Sequence, residues 1–130
     1  MKVLLPPGWP RPKGYANGIS AQGRMVFVAG IVGWDPEGRF HTDDMAGQAQ
    51  QALANIVAIL KEGGASPEHI VRMTWYLTDK REYMEKQKEI GAAYRELIGN
   101  FNVAMTAVEV SALIEDRAKV EIEVTAVVPQ

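Results

Sequence analysis

An α+β domain, with helices packed on one face of a mixed β-sheet, is the fold class the sequence predicts, and three observations predict it. A long amphipathic pattern covers residues 43–62 and a second covers 80–98. Runs rich in β-branched and aromatic residues precede, separate and follow them. Connections long enough to hold a helix favour strands joined by crossovers, with the helices gathered on one side of the sheet. The predicted order is β-β-α-β-α-β-β.

Residues 1–13 hold four of the seven prolines and read as an extended arm; residues 14–130 read as a single domain without repeat, linker or low-complexity tract. Residues 16–21 and 24–31 are expected to form a hairpin around Gln22-Gly23, the second run (Arg24 to Ile31) being rich in β formers. Asp35-Pro36-Glu37-Gly38 is a turn, because proline fixes φ and glycine accepts positive φ.

In the first helix Met45, Ala49, Ala52, Leu53, Ile56, Val57 and Leu60 recur every three to four residues as one core-facing stripe. Thr42 is the expected cap, Asp43 and Asp44 suit the positive helix N-terminus, and Gly63-Gly64 stops the helix. Ser66-Pro67-Glu68 begins a short helical turn, and residues 70–78 form a strand. The second helix presents Tyr83, Gln87, Ile90 and Tyr94 on one side and stops at Gly99. Two strands, 104–113 and 118–128, complete the chain.

Composition narrows the function classes. The 130 residues are 47% hydrophobic and 23% charged, an ordinary globular balance. No apolar run approaches the ~20 residues that span a bilayer, and the N-terminus has no stretch long enough for a signal h-region. Cysteine is absent, which excludes thiol nucleophiles, disulfides and Cys-ligated metals. Together these lead to the expectation of a cytoplasmic protein with no membrane partner. The net charge is −2 and the basic residues are scattered, so no concentrated basic face exists to grip phosphates and no nucleic-acid partner is expected. Arg24, Arg72, Arg95 and Arg117 read as surface charges; His41 and His69 have no ligand spacing, and no metal site is expected.

The sheet's second face is the open question at this level. The simplest registration places Thr106, Val108, Val110 and Ala112 beneath the helices with Val120, Ile122, Val124 and Ala126. Met105, Ala107, Glu109, Glu121 and Glu123 then share the opposite face. Two readings of these acids stand side by side: a solvated outer face, or a subunit interface whose clefts use carboxylates to position water.

Several stretches bear on that choice: Gly14-Tyr15-Ala16-Asn17-Gly18, Val26-Phe27-Val28-Ala29-Gly30, the run from Gln48 to Ile56, Gly64-Ala65-Ser66-Pro67, Tyr76-Leu77-Thr78-Asp79, Ala107-Val108-Glu109-Val110 and Val120-Glu121-Ile122-Glu123-Val124. In number, order and spacing they make the chain resemble the RidA (YjgF/YER057c/UK114) family from Gly14 to Val128. That resemblance implies a chorismate-mutase-like fold and a homotrimer with small-molecule clefts between subunits. It also implies hydrolysis of imines and enamines such as 2-aminoacrylate to a ketoacid and ammonia, with no cofactor. Carried over by position, Tyr15, Ala29, Gly30, Met105 and Ala107 would bind substrate, and Glu121 would position the attacking water.

The chain departs from the family at Met105, where the resemblance implies an arginine, at Ala29, often a hydroxyl residue, and at Ala107, often cysteine. An arginine fork binds a carboxylate bidentately; methionine supplies neither charge nor donor. The resulting expectation is a hydrolase for an imine, enamine or related electrophile not anchored through an α-carboxylate. The alternatives are a non-catalytic trimeric metabolite-binding protein and, more weakly, an endoribonuclease or translation inhibitor.

Overall fold

In the computed structural model, which describes residues 1–130, the chain runs β1 (Lys2–Leu4), β2 (Gly18–Ser20), β3 (Arg24–Val32), α1 (Met45–Glu62), a short 3-10 turn (Pro67–His69), β4 (Ile70–Leu77), α2 (Lys80–Glu85), α3 (Gln87–Leu97), β5 (Ala104–Glu109) and β6 (Val120–Val128). Four strands form one mixed sheet in the order β3-β6-β4-β5. The β4–β5 pair is parallel, while β6 runs antiparallel to both β3 and β4.

The helices cover one face, as the hydrophobic periodicity predicts. Met45, Ala49, Ala52, Leu53, Ile56 and Leu60 of α1 are completely buried. They join Met73, Trp75 and Leu77 of β4 and Val120, Ile122, Val124 and Ala126 of β6 in a single core, with Ile90 of α3. Truncating a buried leucine such as Leu53 to alanine would remove transfer energy and leave a cavity, a loss of about 2–5 kcal/mol.

Four expectations are corrected. The 16–21/24–31 hairpin does not form: β2 pairs antiparallel with β1, within the predicted arm, and β3 pairs with β6. The α1 cap is Asp44, whose carboxylate accepts from Gly47 N at 3.0 Å, while the Thr42 hydroxyl accepts from Asp44 N. The second helix divides at Lys86, although hydrogen bonds from Lys86 N to Glu82 O and Ile90 N to Lys86 O carry the ladder across the bend. No proline or glycine marks the bend, so local sequence gave no sign of it; Lys86 Nζ is instead drawn to Asp44 at the start of α1, 3.3 Å away. Finally, β5 stops at Glu109, because β4 ends at Leu77 and the bond from Val110 N to Leu77 O is the last it can offer.

A fifth correction moves chemistry. Met105 lies opposite Met73, and Ala107 opposite Trp75, in the parallel pair. In β4 those residues are in register with Val124 and Ile122. Partners in register share a face, so Met105, Ala107 and Glu109 stand on the helix side and Thr106 and Val108 on the other. The sequence pattern misassigned β5 because an edge strand has few buried positions from which to read a phase. Glu121 and Glu123 do face away from the helices, on the open side with Tyr76 and Thr74.

One buried polar side chain ties these layers together. Gln48 of α1 is fully buried. Its Nε2 donates to Thr42 O and Arg117 O, both at 3.0 Å, and its Oε1 accepts from Lys119 N at 2.7 Å. Every polar group on the side chain is thus satisfied by backbone from two separate loops. Gln48→Ala strands three backbone groups in the interior and is expected to reduce stability by at least about 2 kcal/mol in urea unfolding. Gln48→Glu, which replaces two donors by acceptors facing carbonyls, is expected to do no better.

Candidate functional site

The principal concavity is a cleft of about 670 Å³ between α3, the β5 edge and residues 13–15. Three local features build it. Ala16 makes an isolated parallel bridge to Ala104, and its N–H donates to Val103 O at 2.8 Å. This laps the chain along the open edge of β5 and carries Tyr15, the residue before the bridge, into the cleft wall beside Met105 and Ala107. Trp75 of the adjacent strand is 2% exposed and meets Tyr83 edge to face, with ring centroids 6.1 Å apart. Its indole Nε1–H is shielded from solvent and finds no acceptor in the chain. The third wall is α3, contributing Ile90, Gly91, Tyr94 and Arg95.

The cleft is aromatic but not electrically neutral. Lys13 and Arg95 line it, and none of its 16 lining residues is acidic, in a chain whose net charge is −2. Neither cation has an ion-pair partner. Burial pushes the Tyr94 phenol up to about 12, so it stays a neutral donor at physiological pH, and its hydroxyl makes a long 3.4 Å bond to Phe101 O. Arg95, read from the sequence as a surface charge, is therefore placed at the cleft. The signal available in the sequence was Gly91: an interior helical glycine is less favourable than alanine by about 1 kcal/mol. Its presence one turn before Arg95 asks for a reason.

The open face carries the other expected site residues. The Glu121 carboxylate rests against the bare backbone of Gly30, where a Cβ would lie 2.2 Å from its Oε2 and displace it. Glu121 makes no hydrogen bond to the chain, whereas Glu123 accepts one from the Tyr76 hydroxyl at 2.5 Å. That bond to a carboxylate holds the Tyr76 phenol above its ordinary range. Ala29 borders a smaller groove of about 410 Å³ with Phe27, Arg72, Thr74 and Glu123. One chain thus brings Tyr15, Met105 and Ala107 together on the helix side, and Ala29, Gly30 and Glu121 together on the opposite side. It does not unite the two groups.

Comparison with known proteins follows the same outline. The endoribonuclease L-PSP family profile matches residues 10–128. A RutC family protein of Pyrococcus abyssi is 39% identical over 117 residues, 88% of each chain. A 2-iminobutanoate/2-iminopropanoate deaminase of Salmonella typhimurium is 32% identical over 113 residues, 87% of this chain and 86% of its own. The crystal structure of YyfB, a Rid-family protein of unknown function from Yersinia pestis, superposes with a TM-score of 0.84 at 27% identity, covering 98% of both chains.

The Tyr94 environment has a measurable consequence. Its folded pKa lies above the unfolded value of 10.0, so the native state holds its proton longer. Its contribution is fully present below pH 10 and declines as pH rises through about 12. Urea unfolding across that window is expected to lose stability in the natural protein, and to show a shallower decline in Tyr94→Phe. Identical slopes would contradict a phenol raised by partial burial.

Proposed function

The chain belongs to the RidA (YjgF/YER057c/UK114) family, and from that premise we propose that it is a small-molecule hydrolase of the imine and enamine deaminase type, working in a cleft completed by a second copy of itself. The observation that carries this reading is the division of the site. Tyr15, Met105 and Ala107 line the large cleft, whereas Glu121 rests on Gly30 on the far side of the sheet. Chemistry that needs both groups needs two chains. The open face is suited to such contact, since Phe27, Met25 and Val108 are 70%, 55% and 41% exposed there. A homotrimer, three times the 14.3 kDa of one chain, is the expected assembly by family.

In this reading Glu121 of one copy orients a water toward the electrophilic carbon held in its neighbour's cleft. As the water oxygen bonds to carbon, its proton passes to the carboxylate. Starting from the protonated imine, that proton then moves to the nitrogen, and as the C–N bond breaks the proton left on the hydroxyl oxygen passes to the carboxylate, leaving a carbonyl compound and ammonia. A free carboxylate suits this role; Glu123, already engaged by Tyr76, does not.

Met105 shapes the substrate. It packs against the core and has no charge with which to hold a carboxylate at that point. The substrate class proposed is therefore an imine, enamine or related electrophile without an α-carboxylate anchor. The apolar character of Met105 and Ala107 also favours, as the second reading, a trimeric binding protein that performs no turnover.

These readings separate by experiment. Imines generated in situ by an amine oxidase, which lack an α-carboxylate, are expected to release ammonia faster with the protein than without it. Glu121→Gln should reduce that acceleration about 10²-fold. Rapid, protein-dependent ammonia release from 2-aminoacrylate would overturn the restriction on substrate. No acceleration with any imine, together with ligand-dependent thermal stabilisation, would favour the binding protein. Met105→Arg is expected to create or raise activity on 2-aminoacrylate, measured on variant that circular dichroism shows to be folded.

A further inference from the structure

The cleft has a cation of its own, on a different wall from Met105. Arg95 projects from α3, has no carboxylate partner, and shares the cleft with Lys13 and no acidic residue. The guanidinium lies back along its own helix over Gly91, where a Cβ would stand 3.2 Å from Arg95 Nη1, a contact the flexible side chain could relieve by a small shift.

We infer that Arg95, assisted by Lys13, is an anion-binding subsite, and that the ligand of this cleft carries an oxyanion group remote from its reacting carbon, joined to it by an apolar body. The inference rests on the hydrolase reading only for the words "reacting carbon"; the anion subsite stands on its own observations. Four features set the ligand class. Within one chain, two cations without an ion-pair partner and no acidic residue in the cleft lining favour a negative group, and an apolar-walled cleft focuses that preference. The guanidinium fork matches carboxylate or phosphate. Trp75, Tyr83 and Tyr94 supply flat apolar walls for an aryl or extended alkyl body. The volume of about 670 Å³ within one chain falls within the 300–1,000 Å³ typical of sites for drug-sized ligands.

Binding of unreactive probes tests the subsite apart from turnover. 3-Phenylpropionate, 3-phenylpropanamide and phenyl phosphate would be titrated by calorimetry into the intact oligomer, at low and high salt. The expected result is that both anions bind the natural protein at least about tenfold more tightly than the neutral amide. Arg95→Met should abolish that preference while leaving amide binding in place. Because Arg95 is exposed and makes no hydrogen bond within the chain, Arg95→Met should also keep the natural unfolding midpoint. Arg81→Met, on α2 and outside the lining of both grooves, serves as the arginine control and should leave the preference intact. Preference for carboxylate over phosphate, or the reverse, would identify the oxyanion. Equal binding of anion and amide, no binding of any probe, or anion binding undiminished in Arg95→Met would overturn the inference. Anion-selective binding without ammonia release from any imine would retain the subsite and discard the hydrolase reading.

Discussion

The parallel pairing of β5 on β4 is the constraint on which the site depends. It sets Met105 opposite Met73 and Ala107 opposite Trp75, and so turns both toward the helices. A shift of one residue would exchange every side chain between faces. Met105 and Ala107 would then leave the cleft, and Thr106 and Val108 would enter it. The pairing is held from both sides of the edge strand, by the ladder to β4 and by the Ala16–Ala104 bridge that brings Tyr15 into position. The same register in β6 keeps Glu121 on the opposite surface, against Gly30.

From that arrangement follows a site in two halves with different electrostatics. The helix-side half is aromatic, cationic and without acids; the open-face half presents a free carboxylate. A ligand anion would be attracted to the first and repelled by the second, which orients it before any specific contact forms. Met105 and Arg95 then play complementary parts. The position that the family resemblance assigns to an arginine has become apolar, while a guanidinium stands on the facing helix wall. The physical difference lies in where the negative charge of a ligand would rest.

The sequence revealed the helices and core strands well, because their periodicities reflect burial that the fold retains. The α1 stripe from Met45 to Leu60 and the alternation from Val120 to Ala126 are both found in the core. It misled wherever pairing partners decided the outcome. Nothing in residues 16–21 specifies that β2 pairs with β1, and the bend at Lys86, whose side chain reaches Asp44 far away in sequence, has no local mark. The phase of β5 was unreadable since Ala107, Val108 and Glu109 are all exposed at the sheet edge. Tyr15, Met105 and Ala107, named through the resemblance, do line one cleft. Arg95 was not legible, because a single arginine on an amphipathic helix looks like any solvated charge; only Gly91 set it apart.

The central claim is that a ligand bridges the two halves across neighbouring copies of the chain. A crystal structure of the oligomer soaked with an unreactive aryl-alkyl carboxylate measures this most directly. The account predicts the aryl body against Trp75 and Tyr94, the carboxylate within hydrogen-bond distance of Arg95, and Glu121 of an adjacent copy facing the cleft. A ligand bound elsewhere, or a cleft closed by its neighbour without Glu121 nearby, would contradict it.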